Sequence, residues 1–351
     1  MEKYRIQQNN GLEFGLYSLG DHMINPITES RISAQQRITE LIEASKLAEE
    51  AGIDVFGVGE SHQNFFTTQA HTVVLGAIAQ ATEKIKITSS ATVLSVADPV
   101  RVYEDFATID LISDGRAEIV AGRGSRVGAY QLLGVDLQDY EEIFEEKLEL
   151  LIKLNEENTI NWEGKFRAPL TNAQILPQPK DNFLPIWRAV GGPPASAIKA
   201  GYMGIPMALT TLGGPAINFK PSVEAYRQAA TENGFDPATL PISTTSLFFV
   251  ADTTKEALQG MYPHLNRGFM AIRGSGYPKQ QFAQAPDPRD ALMVGDKNQI
   301  IEKLLYQHEL YDMQRFMAQI DFGGVPFDKI MKNIEIIGNH IIPAIKKHTA
   351  K

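Results

Sequence analysis

Glu60-Ser61-His62 sets a carboxylate and an imidazole two residues apart, directly after the apolar run Asp54–Gly59. Such a pair can give and take a proton at a bound substrate, if the run is a strand that delivers both to a site. The plain alternative is a structural or surface histidine. A second candidate is Arg123, flanked by glycines in Ala121-Gly122-Arg123-Gly124-Ser125-Arg126. A guanidinium between glycines suits a phosphate, and it equally suits a solvated loop ion pair. Gly122, Gly124 and Gly128 read G-x-G-x-x-x-G, one residue off the dinucleotide fingerprint. The next helix is expected only near Asp139, so no helix N-terminus would lie under those glycines.

Glycine pairs followed by proline recur three times: Gly191-Gly192-Pro193, Gly213-Gly214-Pro215 and, one residue looser, Gly323-Gly324-Val325-Pro326. Glycine lets backbone N–H groups approach an anion, and a helix N-terminus adds unpaired N–H groups. The same sequence also makes an ordinary strand-to-helix turn. Three echoes favour an anion site somewhere among them. Thr88-Ser89-Ser90-Ala91-Thr92 interrupts an otherwise apolar strand with small polar residues. They leave room for a flat ligand, or they meet a packing need for small side chains. The seven histidines show no H-x-x-x-H or H-x-H spacing, and no metal site is assigned. Neither a G-x-S-x-G elbow nor a Walker A sequence is present.

These groups need a scaffold, and the hydropathy pattern supplies one. Strands are expected at Leu12–Leu19, Asp54–Gly59, Ile85–Val93, Ala117–Ala121, Pro185–Val190, Ile205–Leu209, Ile242–Ala251 and Arg315–Ile320. Helical periods follow each, over 33–51, 69–82, 98–112, 140–154, 195–201, 216–233, from Thr254, and over 327–346. Strict alternation implies parallel strands with helical crossovers, and eight units close an α/β TIM barrel, (β/α)8. Such a barrel takes roughly 250 residues. The surplus in a chain of 351 falls in Ser18–Ser30, in an insertion near 155–183 and in another near 262–295. We read a single domain over 1–351, with Tyr262–Gly295 as a candidate lid.

Composition narrows the partners. With 33 basic and 42 acidic residues the net charge is −9 and no basic block occurs, so nucleic acid is not expected as a partner. No run is long enough to span a membrane, and the N-terminus has no apolar leader, which suits a cytoplasmic protein. Without cysteine there is no disulfide, thiolate metal site or cysteine nucleophile.

Taken in order, Val58–His62, Ile85–Arg101, Ser113–Gly124, Pro185–Ser196 and Ile205–Gly214 resemble the bacterial-luciferase-like family of flavin-dependent monooxygenases. The resemblance implies an eight-stranded barrel, usually a homodimer, with FMN at the C-terminal rim. It implies that Arg123, Gly191, Gly192 and Ser196 hold the phosphate, with Gly213 and Gly214 on the same rim. It places a non-proline cis peptide under the flavin ring at Ser89-Ser90. Two positions depart from luciferases. Ser61 replaces the first of their paired histidines, leaving His62, and Gly122 replaces a reactive cysteine, which argues against light emission. The implied activity is oxygenation of a small organic substrate by reduced FMN and O₂, with a possible separate flavin reductase and with His62 and Glu60 moving protons. Two alternatives stay open: hydride transfer without O₂, linked to deazaflavin or nicotinamide, and a non-catalytic flavin-binding protein.

Overall fold

The computed structural model describes residues 1–124 and 128–350. Eight parallel strands close into a barrel: β1 Glu13–Ser18, β2 Val55–Val58, β3 Lys86–Ser89, β4 Ala117–Gly122, β5 Ile186–Val190, β6 Met207–Thr210, β7 Ile242–Ala251 and β8 Arg315–Gln319. Closure runs through two registers. Glu13 pairs with Arg315 between β1 and β8, and Ser243 pairs with Ala208 between β7 and β6. Each strand lies within two residues of its expected span, except that Ile85–Val93 breaks in two. Thr92–Val93 forms a separate short strand on β4, after the peptide reversal at Ser90.

Local chemistry sets the helix starts. Ser33 caps Ala34–Glu50 through the N–H of Gln36 at 3.1 Å, and Asp98 caps Pro99–Ile112 through the N–H of Val100 at 2.9 Å. Thr253 and Glu256 form a reciprocal capping box on Thr254–Arg273. That helix takes up the first third of the expected lid at Tyr262–Gly295, with Pro263 accommodated inside it. The remainder holds the short helix Lys279–Phe282 and the strand Met293–Asp296, which extends the sheet beside β7. Lys297–Tyr311 is a further helix outside the eight-unit count, capped by Asp296 and burying Ile300 and Leu304. The 155–183 insertion forms a small antiparallel hairpin, Ile160–Trp162 with Leu170–Ala173. Another short helix, Gly128–Leu132, begins well before Asp139, and Ser125 and Arg126 lie outside the described residues.

The two ends of the barrel differ. At the N-terminal end the lumen is closed by charge. Arg315, buried, binds Glu13 through Nε at 2.9 Å and Glu118 through Nη1 at 2.5 Å, and Lys86 also contacts Glu13. Burial alone would raise the Glu118 carboxyl, but the guanidinium outweighs it and holds the group below the usual range.

At the other end the loops after β1 and β8 are clipped together. Buried Asp21 accepts the N–H groups of Gly323 and Gly324 at 2.8 and 2.9 Å, and Ser18 Oγ donates to Asp321. Burial and the Asp321 charge push the Asp21 carboxyl up to about 7, against the pull of these N–H donors. A raised carboxyl binds its proton better folded than unfolded. Its stabilising contribution is therefore full near pH 4 and is lost as pH rises towards 7. Asp321→Asn keeps an oxygen for Ser18 and removes the repelling charge. It should flatten that loss and raise unfolding stability at pH 8 by about 1–2 kcal/mol. Parallel urea titrations at pH 5 and pH 8 would read it, and an unchanged pH difference would refute the clip.

Candidate functional site

A cavity of ≈ 590 Å³ opens at the C-terminal rim and descends into the barrel. It is the natural place for a site in this architecture, because strand ends and the loops after them converge there. Glu60, His62, Ser90, Arg123 and Gly191 all line it.

The strand-two end carries its acid–base pair as a linked unit. Glu60 Oε1 lies 2.6 Å from His62 Nε2, and Glu60 Oε2 accepts the N–H of Val93 at 2.7 Å. At 2.6 Å a proton must lie between carboxylate and imidazole. Burial raises the Glu60 carboxyl, while the bonds from His62 and Val93 draw it back. Both side chains are about nine-tenths buried, so little water competes for that proton. The sequence reading missed His71. Its Nδ1 is 3.8 Å from Glu60 Oε2, and its Nε2 is 2.8 Å from Thr92 Oγ1. Burial, helped by His62, lowers His71 to about 3, so it is neutral at ordinary pH and braces the wall. Only the fold brings it there, from the first position of the helix His71–Ala81.

The non-proline cis peptide lies at Ser90-Ala91, one residue beyond Ser89-Ser90. Gly59 is what admits it: a Cβ there would stand 2.2 Å from Ser90 O. Ser90 and Ala91 face the cavity, whereas buried Ser89 turns into the wall. Its Oγ donates to Val120 O at 3.1 Å and accepts the N–H of Val120 at 2.9 Å. Val93, Val120, Gly122 and Ala189 line the cavity together with Ala91 and give it an apolar wall against which a planar ring could lie.

At the cavity mouth, the Arg123 guanidinium lies 5.3 Å above the Tyr140 ring and 3.2 Å from Glu141. Tyr130 donates to the Arg123 carbonyl at 2.5 Å and so fixes the backbone beneath the side chain. Gly191 and Gly192 precede the helix Pro194–Tyr202, and no atom lies within 4 Å of where a Cβ would stand on either. Gly192 has φ +103°, a conformation that side chains disfavour. Gly191 and Arg123 line the same cavity, and open backbone together with a cation suits a terminal phosphate.

Three expected residues are placed elsewhere. Ser196 is buried and accepts from Arg188 Nε at 3.5 Å, because Arg188 is held bidentate by Glu145 at 2.7 and 2.6 Å. Gly213 sits against Tyr277, whose hydroxyl would be 2.7 Å from a Cβ, and Gly214 accepts the N–H of Ala291 at 2.8 Å. Both glycines seat the 262–295 insertion and do not line the cavity. From that insertion Phe269 and Ile272 do reach it.

Residues 12–314 match the family model described as luciferase-like monooxygenase. The chain belongs to that family. Three solved structures share its fold. The monooxygenase RslO1 from Streptomyces bottropensis superposes with TM-score 0.83 at 22% identity, covering 95% of this chain and 99% of that one. The oxygenating constituent of 3,6-diketocamphane monooxygenase from Pseudomonas putida, in complex with FMN, gives 0.74 at 19% with the same coverages. An F420-dependent secondary alcohol dehydrogenase gives 0.72 at 19%, again over 95% and 99%. This luciferase-like barrel is therefore a flavin-dependent oxidoreductase in class. Among the described residues no helix is long and apolar enough to cross a membrane.

Proposed function

We propose that this luciferase-like protein is an FMN-dependent monooxygenase acting on a small organic substrate with O₂. The observation that carries the reading is the cavity wall that Arg123 and Gly191, at the start of the open Gly191-Gly192 turn, share with the Ser90-Ala91 peptide and the apolar Val93, Val120 and Ala189. One cation and one glycine turn match one terminal phosphate, and the apolar wall matches a planar ring.

When bound, reduced FMN supplies the electrons and the O₂ activation that no side chain here can supply. The chain's own residues do the rest. Arg123 and the Gly191-Gly192 N–H groups hold the phosphate, and Val93, Val120 and Ala189 keep water from the ring. His62, oriented by the bond between its Nε2 and Glu60 Oε1 at 2.6 Å, delivers or receives a proton at its other ring nitrogen, Nδ1. Glu60 is itself fixed by the Val93 N–H, so the pair does not drift. We place the protein in the cytoplasm as a homodimer, with a separate reductase supplying reduced flavin. Sedimentation equilibrium checks the dimer.

Hydride transfer without O₂ is the competing reading, favoured by the F420-dependent alcohol dehydrogenase among the structural neighbours. Titrating the protein with FMN and then following substrate turnover with reduced FMN, with and without air, separates the two. Turnover only in air, with one oxygen atom gained in the product mass, is the expected result. Turnover under argon would replace oxygenation by hydride transfer, and absence of FMN binding would end the FMN monooxygenase reading.

A further inference from the structure

The Gly191-Gly192 turn lacks the means to hold its own shape. Two adjacent glycines carry more backbone freedom than any other pair, and that freedom must be lost before the turn can grip a ligand. Pro193 and Pro194 follow them, so the next two peptides each have a carbonyl to satisfy and no N–H to offer. Gly192 sits at φ +103°, and among the described residues neither glycine N–H has a partner.

The support comes from the next strand–helix unit. Ser222, in the first turn of the helix Lys220–Glu232, donates through Oγ to the Gly192 carbonyl. Ser222 is 1% exposed and does not line the cavity, so that carbonyl is turned into the protein and away from the cavity. The two helices behind the turn are in close contact. Gly201, in the helix Pro194–Tyr202, lies where a Cβ would stand 2.2 Å from the Tyr226 carbonyl oxygen. Tyr226 itself donates to Ile205 O at 2.8 Å, away from the turn.

Two consequences follow for an anion. A carbonyl oxygen is the negative end of its peptide and repels an oxyanion, whereas free N–H groups attract one. With the carbonyl pinned by Ser222 and Val190 held in its strand, the glycines are fixed at both ends. Ordering them then takes nothing from the affinity for the ligand.

We propose that Ser222 is a positioning residue for phosphate recognition: its bond to the Gly192 carbonyl keeps the turn open, with the Gly191 and Gly192 N–H groups free for a phosphate oxygen. The proposal rests on the phosphate reading of the rim and adds a residue that the phosphate does not touch. A role confined to tying two helices together would use the same hydrogen bond, and the two roles differ in what each ligand feels.

FMN and riboflavin are titrated by flavin fluorescence against the unmodified full-length protein, Ser222→Ala and Tyr226→Phe. Each variant deletes one buried hydroxyl with which the helix Lys220–Glu232 bonds a carbonyl, and only the first touches the turn. Ser222→Ala should bind FMN about five- to tenfold more weakly and riboflavin within about twofold of the unmodified protein. Tyr226→Phe should leave the ratio of the two affinities unchanged. Equal losses of FMN and riboflavin in Ser222→Ala, no loss of either, or the same change of ratio in Tyr226→Phe overturns the proposal.

Inorganic phosphate is the probe without flavin. In protein labelled with nitrogen-15 at glycine alone, it should move the Gly191 N–H signal, and about five- to tenfold more phosphate should be needed in Ser222→Ala. Gly191→Ala identifies that signal by its loss, and the added Cβ meets nothing within 4 Å. If phosphate moves the signal over the same concentration range in both proteins, or in neither, the proposal falls. If FMN fails to bind while phosphate still shows the difference, the flavin reading falls and Ser222 keeps its role at a phosphate site.

Discussion

Replacing Arg123 with Ala is expected to weaken FMN binding about 10- to 100-fold while changing riboflavin binding by less than about twofold. The two ligands differ only in the phosphate, so the ratio isolates the guanidinium from the contacts of the ring. Its magnitude follows from a charge-assisted contact at a half-sheltered position, with Arg123 about a quarter exposed. Glu141 sharpens the test. It pairs with Arg123 at 3.2 Å and is itself well exposed, so an incoming phosphate must compete with a weak ion pair. Glu141→Gln should tighten FMN binding a few-fold and leave riboflavin unaffected. Fluorescence titration measures all four affinities. Equal losses of FMN and riboflavin in Arg123→Ala would remove Arg123 from the phosphate site.

The second large effect concerns turnover. His62→Ala should lower kcat by about 10²- to 10⁴-fold, the usual span for a positioned proton-transfer group, with FMN affinity nearly unchanged. Glu60→Gln is the informative partner. Glutamine still accepts the Val93 N–H, so the wall keeps its shape, but it cannot titrate. Burial raises the Glu60 carboxyl above its ordinary value, and protonating it removes the charge that orients His62. Activity in the unmodified protein should therefore fall on the acid side, and that limb should vanish in Glu60→Gln as kcat drops. His71 gives no substitute limb, because it stays neutral down to about pH 3. A retained acid limb in Glu60→Gln would assign it to another group.

The eight-unit count and the strand positions were legible because parallel barrel strands are short apolar runs between helical periods. Glycine, aspartate and proline mark their ends. Glu60, His62 and Arg123 were legible for the same reason: in a parallel barrel, a polar residue just past a strand's C-terminal end reaches the rim. Ser89 and Ser196 show where that logic stops. Both lie at the right place in the chain, yet Ser89 turns into the wall to bond Val120, and Ser196 turns towards Arg188. The helix Lys297–Tyr311 carries its own signal, an aspartate cap before Ile300 and Leu304, although it lies beyond the barrel's alternation.

From the chain alone come the closed α/β barrel, the rim as the place for chemistry, and the candidate proton pair and phosphate arginine. All of these depend on local periodicity and on order along the chain. Only the tertiary structure decided that His71 stands behind Glu60, and that Ser90-Ala91 is the cis bond. The same is true of Ser222 standing behind the Gly192 carbonyl. Each of those facts joins segments distant in sequence or turns on a side chain's direction. Direction is set by strand register and barrel closure, which no single stretch of residues contains.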